Sequence, residues 1–522
     1  MKLSTFQKGL LLILIFFLLA GGILFVTRIL AGDSFNKEEA QHAINGLWIS
    51  RDLRALDLGN FWYDTQRQLY WPFLHSWLLS IPFLLLGANY ISARFVSLLL
   101  LLATIILMYL VSSRLSKTSG WKIGALSVLL ALTSPMIIKY STLNTLESLG
   151  ALLFLGSYYF YMLSEESSPI INYIILAVLV GLSIYTNYLY AYLMIPAFIV
   201  VALGKLGPVI YDVVNLSRRG EKAALPFLWW AYRKLIFLTV LFVVVASWFM
   251  TSSFSRKIML FTQAIFRYSG GAIPNNLMDA ALYYPRVIIE QYTFSPWLGI
   301  LMVLTLFLPI VAFHDEYRPI NKLFTFIWTV LVLLILTVPT KAPQFIYVIA
   351  PFLFLVLAVV VFYLVEKLPR YSIWIFLVLF VPSLISLPTL AGAYFPPRPA
   401  DNMISVLNFF KQTSAPRTAV AAVIEMQHLN SDVISFHFAD WDGLVLVDPT
   451  AGQEGIYGGG QNFFTIEMDG NSPYRGELLD DSLINWNGFL AERVKAGDIR
   501  EVSQRRFNSI GLTARIFTKQ AR

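Results

Sequence analysis

The chain reads as an all-α, multi-pass membrane domain followed by a small soluble α/β domain. Three observations predict this: a composition too apolar for water, a series of apolar runs of spanning length, and a change of character after residue 395. Of the 522 residues, 57% are hydrophobic and only 13% charged, and the mean hydropathy is +0.66. Soluble globular chains run about 45–50% apolar and about 25% charged, so lipid must solvate much of this one. The net charge of +8 does not point to a nucleic-acid partner. In a membrane protein, Lys and Arg collect in cytoplasmic loops and beside anionic headgroups. Cysteine is absent, which excludes disulfides, Cys-ligated zinc and thiol catalysis.

A spanning helix needs about 20 mostly apolar residues. Residues 9–30 supply the first, after a basic start at Lys2 and Lys8 and before Ala31-Gly32-Asp33. A cleaved signal has an apolar core of only about 7–15 residues; this run is longer and more spans follow, so it is expected to stay as an anchor. Further spans are expected at 93–113, 123–140, 146–163, 169–186, 188–204, 235–250, 294–313, 323–339, 344–365 and 371–391, about eleven in all by the length rule. The stretch 71–87 is short and interrupted by Pro72, His75 and Pro82, and reads as an interfacial helix.

Charge sets the orientation. With the N-terminus in the cytoplasm, the loops 114–122 (Arg114, Lys117, Lys122), 205–234 (Lys205, Arg218, Arg219, Lys222, Arg233, Lys234), 314–322 (Arg318, Lys322) and 366–370 (Lys367, Arg370) all fall inside, as the positive-inside rule asks. Only 164–168, with Glu165 and Glu166, runs against it. Were 71–87 to span, every later loop would change sides and the agreement would vanish. The loop 31–92, the loop 251–293 and the tail then lie outside. Two domains are expected: 1–395 in the membrane, with 31–92 as its first outer loop, and an extracytoplasmic α/β domain at 396–522. The break falls at Tyr394-Phe-Pro-Pro-Arg-Pro399, a helix stop. Beyond it, 402–412 fits a helix, 418–424, 433–438, 443–447 and 513–518 read as strands, and 456–460 as a loop.

The first outer loop is long and dense in carboxylates, aromatics and bases. Its opening suits an amphipathic helix with Ala40, Ala43, Ile44 and Leu47 on one face. Glu38 and Glu39 diverge by about 100° on that helix, so one can serve a site while the other meets solvent or a cap. The bland reading is a solvated helix start, where acids are favoured. Glu147 opens the span 146–163 at its outer end; an acid there is either functional or just outside the hydrocarbon. Outward cations, among them Arg67, Arg94, Lys139, Arg256, Arg267 and Lys341, go against the positive-inside rule. A phosphate would offset them, as would lipid headgroups. The histidines show no metal-ligand spacing, and Gly458-Gly-Gly460 lacks any P-loop context.

Five stretches together resemble a known family: Lys37-Glu-Glu-Ala-Gln-His-Ala43, Tyr70-Trp-Pro-Phe-Leu74, Gly87-Ala-Asn-Tyr-Ile-Ser-Ala-Arg94, Glu147 at the head of a span, and Lys341-Ala-Pro-Gln-Phe-Ile-Tyr347. In this order the chain resembles the GT-C glycosyltransferases, in the group holding protein O-mannosyltransferases and lipid A aminoarabinose transferases (glycosyltransferase family 39-like). The resemblance covers roughly residues 1–395 in layout. It implies a sugar donor on a polyprenyl phosphate, transfer with inversion to an acceptor hydroxyl of a protein, glycolipid or glycan on the outer face, and a carboxylate general base. The base maps to Glu38. The family has Asp there, and Glu moves the carboxylate outward by about 1.5 Å, one C–C bond; either the loop compensates, or Glu39 or Asp33 acts. Glu147 maps to the second acid, which organises the site or binds a divalent metal such as Mg²⁺ or Mn²⁺; no cofactor is demanded by ligand spacing. Arg94, Lys139 and Lys341 would hold the departing phosphate. The family's Lys-Pro-Pro turn is here Trp71-Pro72-Phe73, so Arg67, or Arg256 or Arg267 of the loop 251–293, is expected to substitute. His42, Tyr70, Trp71 and Tyr347 would line the substrate.

A multi-span transporter of an anionic or lipid-linked substrate is the rival. It predicts midplane charges and paired broken helices, whereas the conspicuous groups here sit at one face. An anchored binding protein is a third reading, for which one span would suffice. A prokaryotic plasma membrane is the expected location.

Overall fold

In lipid each backbone N–H and C=O must be paired within its own segment, so apolar runs become helices. The computed structural model describes residues 4–116, 119–166, 170–203, 224–251, 253–266, 271–307, 318–398, 400–413, 420–422, 428–439, 461–469 and 482–520, with scattered positions between. Helix α1 (Thr5–Leu24) continues through a π-helical turn, Phe25–Leu30. Then follow α2 (Lys37–Ala55), α3 (Leu58–Gln66), α4 (Leu74–Leu86), α5 (Tyr90–Leu115), α6 (Gly120–Leu132), α7 (Pro135–Tyr140), α8 (Glu147–Glu166), α9 (Ile171–Leu182) and α10 (Tyr188–Leu203). After them come α11 (Ala224–Met250), α12 (Phe254–Phe266), α13 (Leu277–Val287), α14 (Pro296–Thr305), α15 (Arg318–Leu336), α16 (Ala350–Lys367), α17 (Ser372–Phe380) and α18 (Leu387–Tyr394). The tail holds α19 (Met403–Thr413), β1 (Val420–Ala422), α20 (Ser431–His437), β2 (Asn462–Met468), α21 (Ser482–Lys495), β3 (Ile499–Phe507) and β4 (Leu512–Lys519).

Among the described residues, five helical stretches are long and apolar enough to cross a membrane: Phe6–Leu30, Tyr90–Leu115, Ala231–Met250, Pro343–Lys367 and Pro369–Tyr394. Further apolar helices are shorter, at 10–17 residues. Several expected spans are divided, and proline is the usual reason. The run 123–140 breaks at Ser134, which caps α7 through Ile137 N (3.3 Å) with Pro135 in the first turn. The run 344–365 starts as a 3₁₀ segment, Pro343–Ile349, before α16. The run 371–391 breaks at Pro382–Ser386 between α17 and α18. Of 294–313, the part at 308–313 lies outside the described residues.

Contacts divide the chain into two units. The first comprises Met1–Arg28, Leu56–Leu78 and Arg94–Phe395. At its centre is the stretch Pro343–Lys367, 78% buried. Phe352 of α16 meets Tyr158 of α8 and Phe326 of α15, and Phe326 meets Phe198 of α10 at 5.0 Å. Small residues let α5 and α6 close up: a Cβ on Gly124 would fall 2.5 Å from Ser112 Oγ and 2.6 Å from a Tyr109 ring carbon. A second cluster gathers Phe73, Tyr185, Tyr188, Trp248 and Leu260. There Tyr188 donates to Leu69 O (2.8 Å) and accepts from Trp248 Nε1 (3.2 Å).

The second unit comprises Ile29–Ala55, Leu79–Ala93 and Pro396–Arg522. Its sheet has the order β1-β2-β4-β3, with β1 and β2 parallel and the other pairs antiparallel. β3 and β4 form a hairpin that turns at Gly511, whose φ of 57° is the left-handed conformation glycine adopts freely. Phe410 of α19 stacks on Phe464 of β2 at 4.3 Å, and Trp486 of α21 is fully buried beside Phe463. The start of the first outer loop packs here too: α2 lies against α20, and Phe35 meets Tyr90 (4.5 Å) and Phe436 (4.9 Å).

The expected helix 402–412 is α19 and the expected strand 513–518 lies in β4. Of 418–424, residues 420–422 form β1. The stretch 433–438, expected as a strand, is instead the helix α20. Asn430 caps it, accepting from Asp432 N and Val433 N at 3.1 Å each, and that cap outweighs the local β-branched pattern. The strand at 443–447 and the loop at 456–460 fall outside the described residues.

Candidate active site

In the second unit, Asn36 and Glu39 form a capping box. Asn36 Oδ1 accepts from Glu39 N (2.9 Å), and Glu39 Oε2 accepts from Asn36 N (3.1 Å). Each side chain satisfies a backbone donor that the helix start would leave open. Glu39 is consequently buried, whereas Glu38 keeps part of its surface accessible. Glu38 sits in the first turn of α2, where the helix dipole favours a carboxylate. His42, buried, lies one turn on from Glu38 on the same helix face. Asp33 is engaged elsewhere: its Oδ1 accepts from Met403 N (2.9 Å) and Ile404 N (3.3 Å) at the head of α19.

In the first unit, Glu147 opens α8 and is almost fully buried, at 4% exposure. Its Oε2 has no hydrogen-bond partner among the described residues. Buried polar atoms are nearly always paired, so an open one marks either stored strain or a ligand position. Tyrosines surround this carboxylate. Tyr140 of α7 and Tyr347 of the 3₁₀ segment meet edge to face at 5.2 Å. Tyr292 lies within electrostatic reach of Tyr140, Tyr284, Tyr347 and Glu147, and its hydroxyl donates to Pro343 O (2.9 Å). Tyr284 is fully buried, and its hydroxyl, like Glu147 Oε2, has no hydrogen-bond partner among the described residues. Lys139, exposed at the end of α7, acts electrostatically on Glu147 and lies 5.5 Å from the Tyr140 ring centre. The structure brings Glu147, Lys139 and Tyr347 near one another, and Tyr140, Tyr284 and Tyr292 join the same cluster. The sequence signal for those three was tyrosine in the loop 251–293 and at a span end, where aromatics usually form an interfacial belt.

The expected cations are placed differently from one another. Lys341 is buried, and its ammonium donates to the carbonyls of Leu334 (2.5 Å), Ile335 (2.9 Å) and Val338. Lysine has three donors, so in this conformation all are committed to the C-terminal end of α15 and none is left for a phosphate. Burial pushes its pKa down to about 8. Its backbone exchanges two hydrogen bonds with Ala272 (2.7 and 2.8 Å). A Cβ on the neighbouring Gly271 would lie only 2.4 Å from Lys341 O. Arg94 is buried at the start of α5. Arg67 pairs with Asp64 at 3.1 Å, Arg256 is exposed on α12, and Arg267 lies outside the described residues. Beside Arg256, Lys257 is buried and closes the end of α11, donating to Trp248 O (2.8 Å) with its ammonium 3.8 Å from the Trp248 ring centre. Tyr70 is exposed and meets Trp71 edge to face at 4.8 Å. Among the described residues no three His, Asp or Glu side chains group closely enough to hold a metal ion. Among the described residues Glu147 therefore has no set of metal ligands around it.

This architecture is the GT-C glycosyltransferase fold. The chain is similar to ArnT from Cupriavidus metallidurans bound to undecaprenyl phosphate, at 14% identity and a TM-score of 0.59, over 96% of this chain and 97% of that one. It is also similar to the Archaeoglobus fulgidus oligosaccharyltransferase AglB in complex with an inhibitory peptide and a dolichol-phosphate, at 11% identity and a TM-score of 0.52, over 88% of this chain and 70% of that one. By sequence, residues 71–212 match the family of dolichyl-phosphate-mannose-protein mannosyltransferases. No curated protein matches the chain.

Proposed function

We propose that this membrane protein transfers a sugar from a polyprenyl-phosphate donor to an acceptor hydroxyl, with inversion and with a carboxylate as general base. The observation that carries this reading is Glu147: a buried carboxylate with an open oxygen among tyrosines, set in a fold shared with a transferase bound to undecaprenyl phosphate.

In this reading the acceptor oxygen attacks the anomeric carbon, the bond from that carbon to phosphate oxygen breaks, and the electron pair leaves with the polyprenyl phosphate. Glu38 takes the acceptor's proton. Glu39 is less suited, because its carboxylate already holds Asn36 N and is buried, and Asp33 is committed to the head of α19. A well-placed base contributes about 10²–10⁴-fold. Glu147 orients the reacting groups through its open oxygen, with Tyr292 and Tyr347 beside it. Lys139 and Arg94 offset the charge that grows on the departing phosphate; Lys341 joins them only by releasing the end of α15. His42, Tyr70 and Trp71 line the substrate, and Arg67, Arg256 and Arg267 supply further positive charge toward the phosphate.

The basic loops favour an N-terminus in the cytoplasm and a C-terminal domain outside, and the proposed location is a prokaryotic plasma membrane. Purified protein in nanodiscs, offered a panel of radiolabelled polyprenyl-phosphate sugars, tests the reading. Turnover of one donor, lost in Glu38→Gln and Glu147→Gln, supports it. No turnover and no binding of any polyprenyl phosphate overturns it.

A further inference from the structure

The loop 164–168 is acidic where its companions on the same side are basic, and Glu165 has a local reason to be there. In the last turn of α8 it pairs with Lys322 of α15 (3.1 Å) and Lys234 of α11 (3.5 Å), with only 10% of its side chain exposed. One carboxylate thus fastens the ends of three helices. Arg233 adds a third cation. Its guanidinium lies 4.5 Å from the Trp229 ring centre and 5.9 Å from that of Tyr173 in α9. Lys234 stands 5.4 Å from the same Tyr173 ring and within electrostatic reach of Arg233 and Lys322. Among the described residues no carboxylate pairs with Arg233, and its buried Nε has no hydrogen-bond partner. A second polar group there is open. Tyr161 is 2% exposed, and its hydroxyl has no partner among the described residues. Lys322 lies 5.5 Å from the Tyr161 ring centre, and Tyr161 is within electrostatic reach of Tyr173.

A cation that only obeys the positive-inside rule needs no more than water around it. These cations are packed on aromatic rings instead, and stacking holds the flat guanidinium in place with its donors pre-organised. Three cations around one acid, with an open N–H and an open O–H, are complementary to an anion rich in acceptor oxygens. We infer that this end of the helix bundle binds a phosphate group, held by Arg233 and Lys234 and by a hydrogen bond donated from the Tyr161 hydroxyl. Glu147 and Glu165 stand near opposite ends of the 20-residue α8, about 27 Å apart at the helical rise per residue. The phosphate site is therefore separate from the candidate active site, and it does not rest on the transferase reading. Its phosphate comes from one of two sources: the headgroup of an anionic phospholipid in the adjoining leaflet, or a free ion from water.

The test titrates full-length protein in a neutral detergent with phosphatidylglycerol, phosphatidylcholine and inorganic phosphate, and reads an apparent Kd for each from the rise in melting temperature. Phosphatidylglycerol, inorganic phosphate or both should raise it to a plateau. Phosphatidylcholine, whose phosphate is neutralised by its own choline, should not. A response to phosphatidylglycerol alone identifies a lipid headgroup, a response to inorganic phosphate alone identifies the free ion, and a response to both means that the site accepts either. Arg233→Gln should weaken binding about tenfold or more, as the loss of a charge-assisted hydrogen bond implies. Tyr161→Phe gives up a hydroxyl with no partner among the described residues, so without ligand it should melt like the wild type, and it should bind about two- to tenfold less tightly. No response to either phosphate, an equal response to phosphatidylcholine, or an unchanged Kd in folded Arg233→Gln overturns the inference. Should Arg233→Gln fail to fold, the Kd of Tyr161→Phe decides in the same way.

Discussion

Asn36 and Glu39 exchange hydrogen bonds across the first turn of α2, side chain to backbone in both directions, at 2.9 and 3.1 Å. That pairing separates two adjacent acids that look equivalent in sequence. Glu39 holds the helix start together, and Glu38, which takes no part in that exchange, is the acid proposed as the base.

The separation predicts opposite phenotypes. Glu39→Ala should lower stability by about 0.5–2 kcal/mol, the range for a lost helix cap, read as a fall in melting temperature. Glu38→Gln should melt like the wild type and lose sugar transfer by about 10²–10⁴-fold, the worth of a general base. A normal melting temperature for Glu39→Ala would contradict the assignment of the cap.

Tyr284 supplies a second contrast. Among the described residues its buried hydroxyl has no partner, so Tyr284→Phe should leave stability unchanged or raise it slightly, because the variant no longer buries an unpaired polar group. If the hydroxyl meets substrate, transfer should fall while the melting temperature does not. A clear loss of stability would mean that the hydroxyl is bonded in the folded protein.

Lys341 predicts a pH dependence. Its folded pKa is lowered from 10.5 to about 8 by burial, so between about pH 8 and pH 10.5 the unfolded chain binds more protons at this site than the folded one. Stability from this group therefore rises with pH across that window. The melting temperature of the wild type should gain on that of Lys341→Met between pH 8 and pH 10. A difference that is flat or shrinks with pH would show that the ammonium is not buried as described.

Gly271 tests the same turn from the other side. A methyl group there would sit 2.4 Å from Lys341 O, a backbone atom that cannot swing away. Gly271→Ala should cost about 1–3 kcal/mol, as overpacking usually does, measured by thermal unfolding. A neutral result would mean that the Ala272–Lys341 bridge yields easily.

Much of this was legible in the chain. The composition predicted a membrane fold, and the acid at the head of α8 with the Lys341-Ala-Pro343 turn pointed to the family layout. Other features were hidden for physical reasons. Ser134 and Pro135 split an apolar run that reads as one span, because hydropathy does not register a cap. The charged β3, Ile499–Phe507, carries mostly exposed side chains, so it lacks the apolar alternation that marks a strand. The tyrosines around Glu147 come from α7, α13, the turn before α14 and the 3₁₀ segment, and only the fold gathers residues so distant in sequence. Lys341 looked like a free outward cation, and nothing local disclosed that its three donors close the end of α15.

The most direct test of the central claim is transfer from radiolabelled polyprenyl-phosphate sugars by nanodisc-embedded wild type, Glu38→Gln, Glu39→Gln and Glu147→Gln. The account predicts turnover of one donor by the wild type, near-complete loss in Glu38→Gln and Glu147→Gln at unchanged melting temperature, and, in Glu39→Gln, transfer that persists in whatever fraction stays folded. Equal turnover in all four proteins, or loss confined to Glu39→Gln, would contradict it.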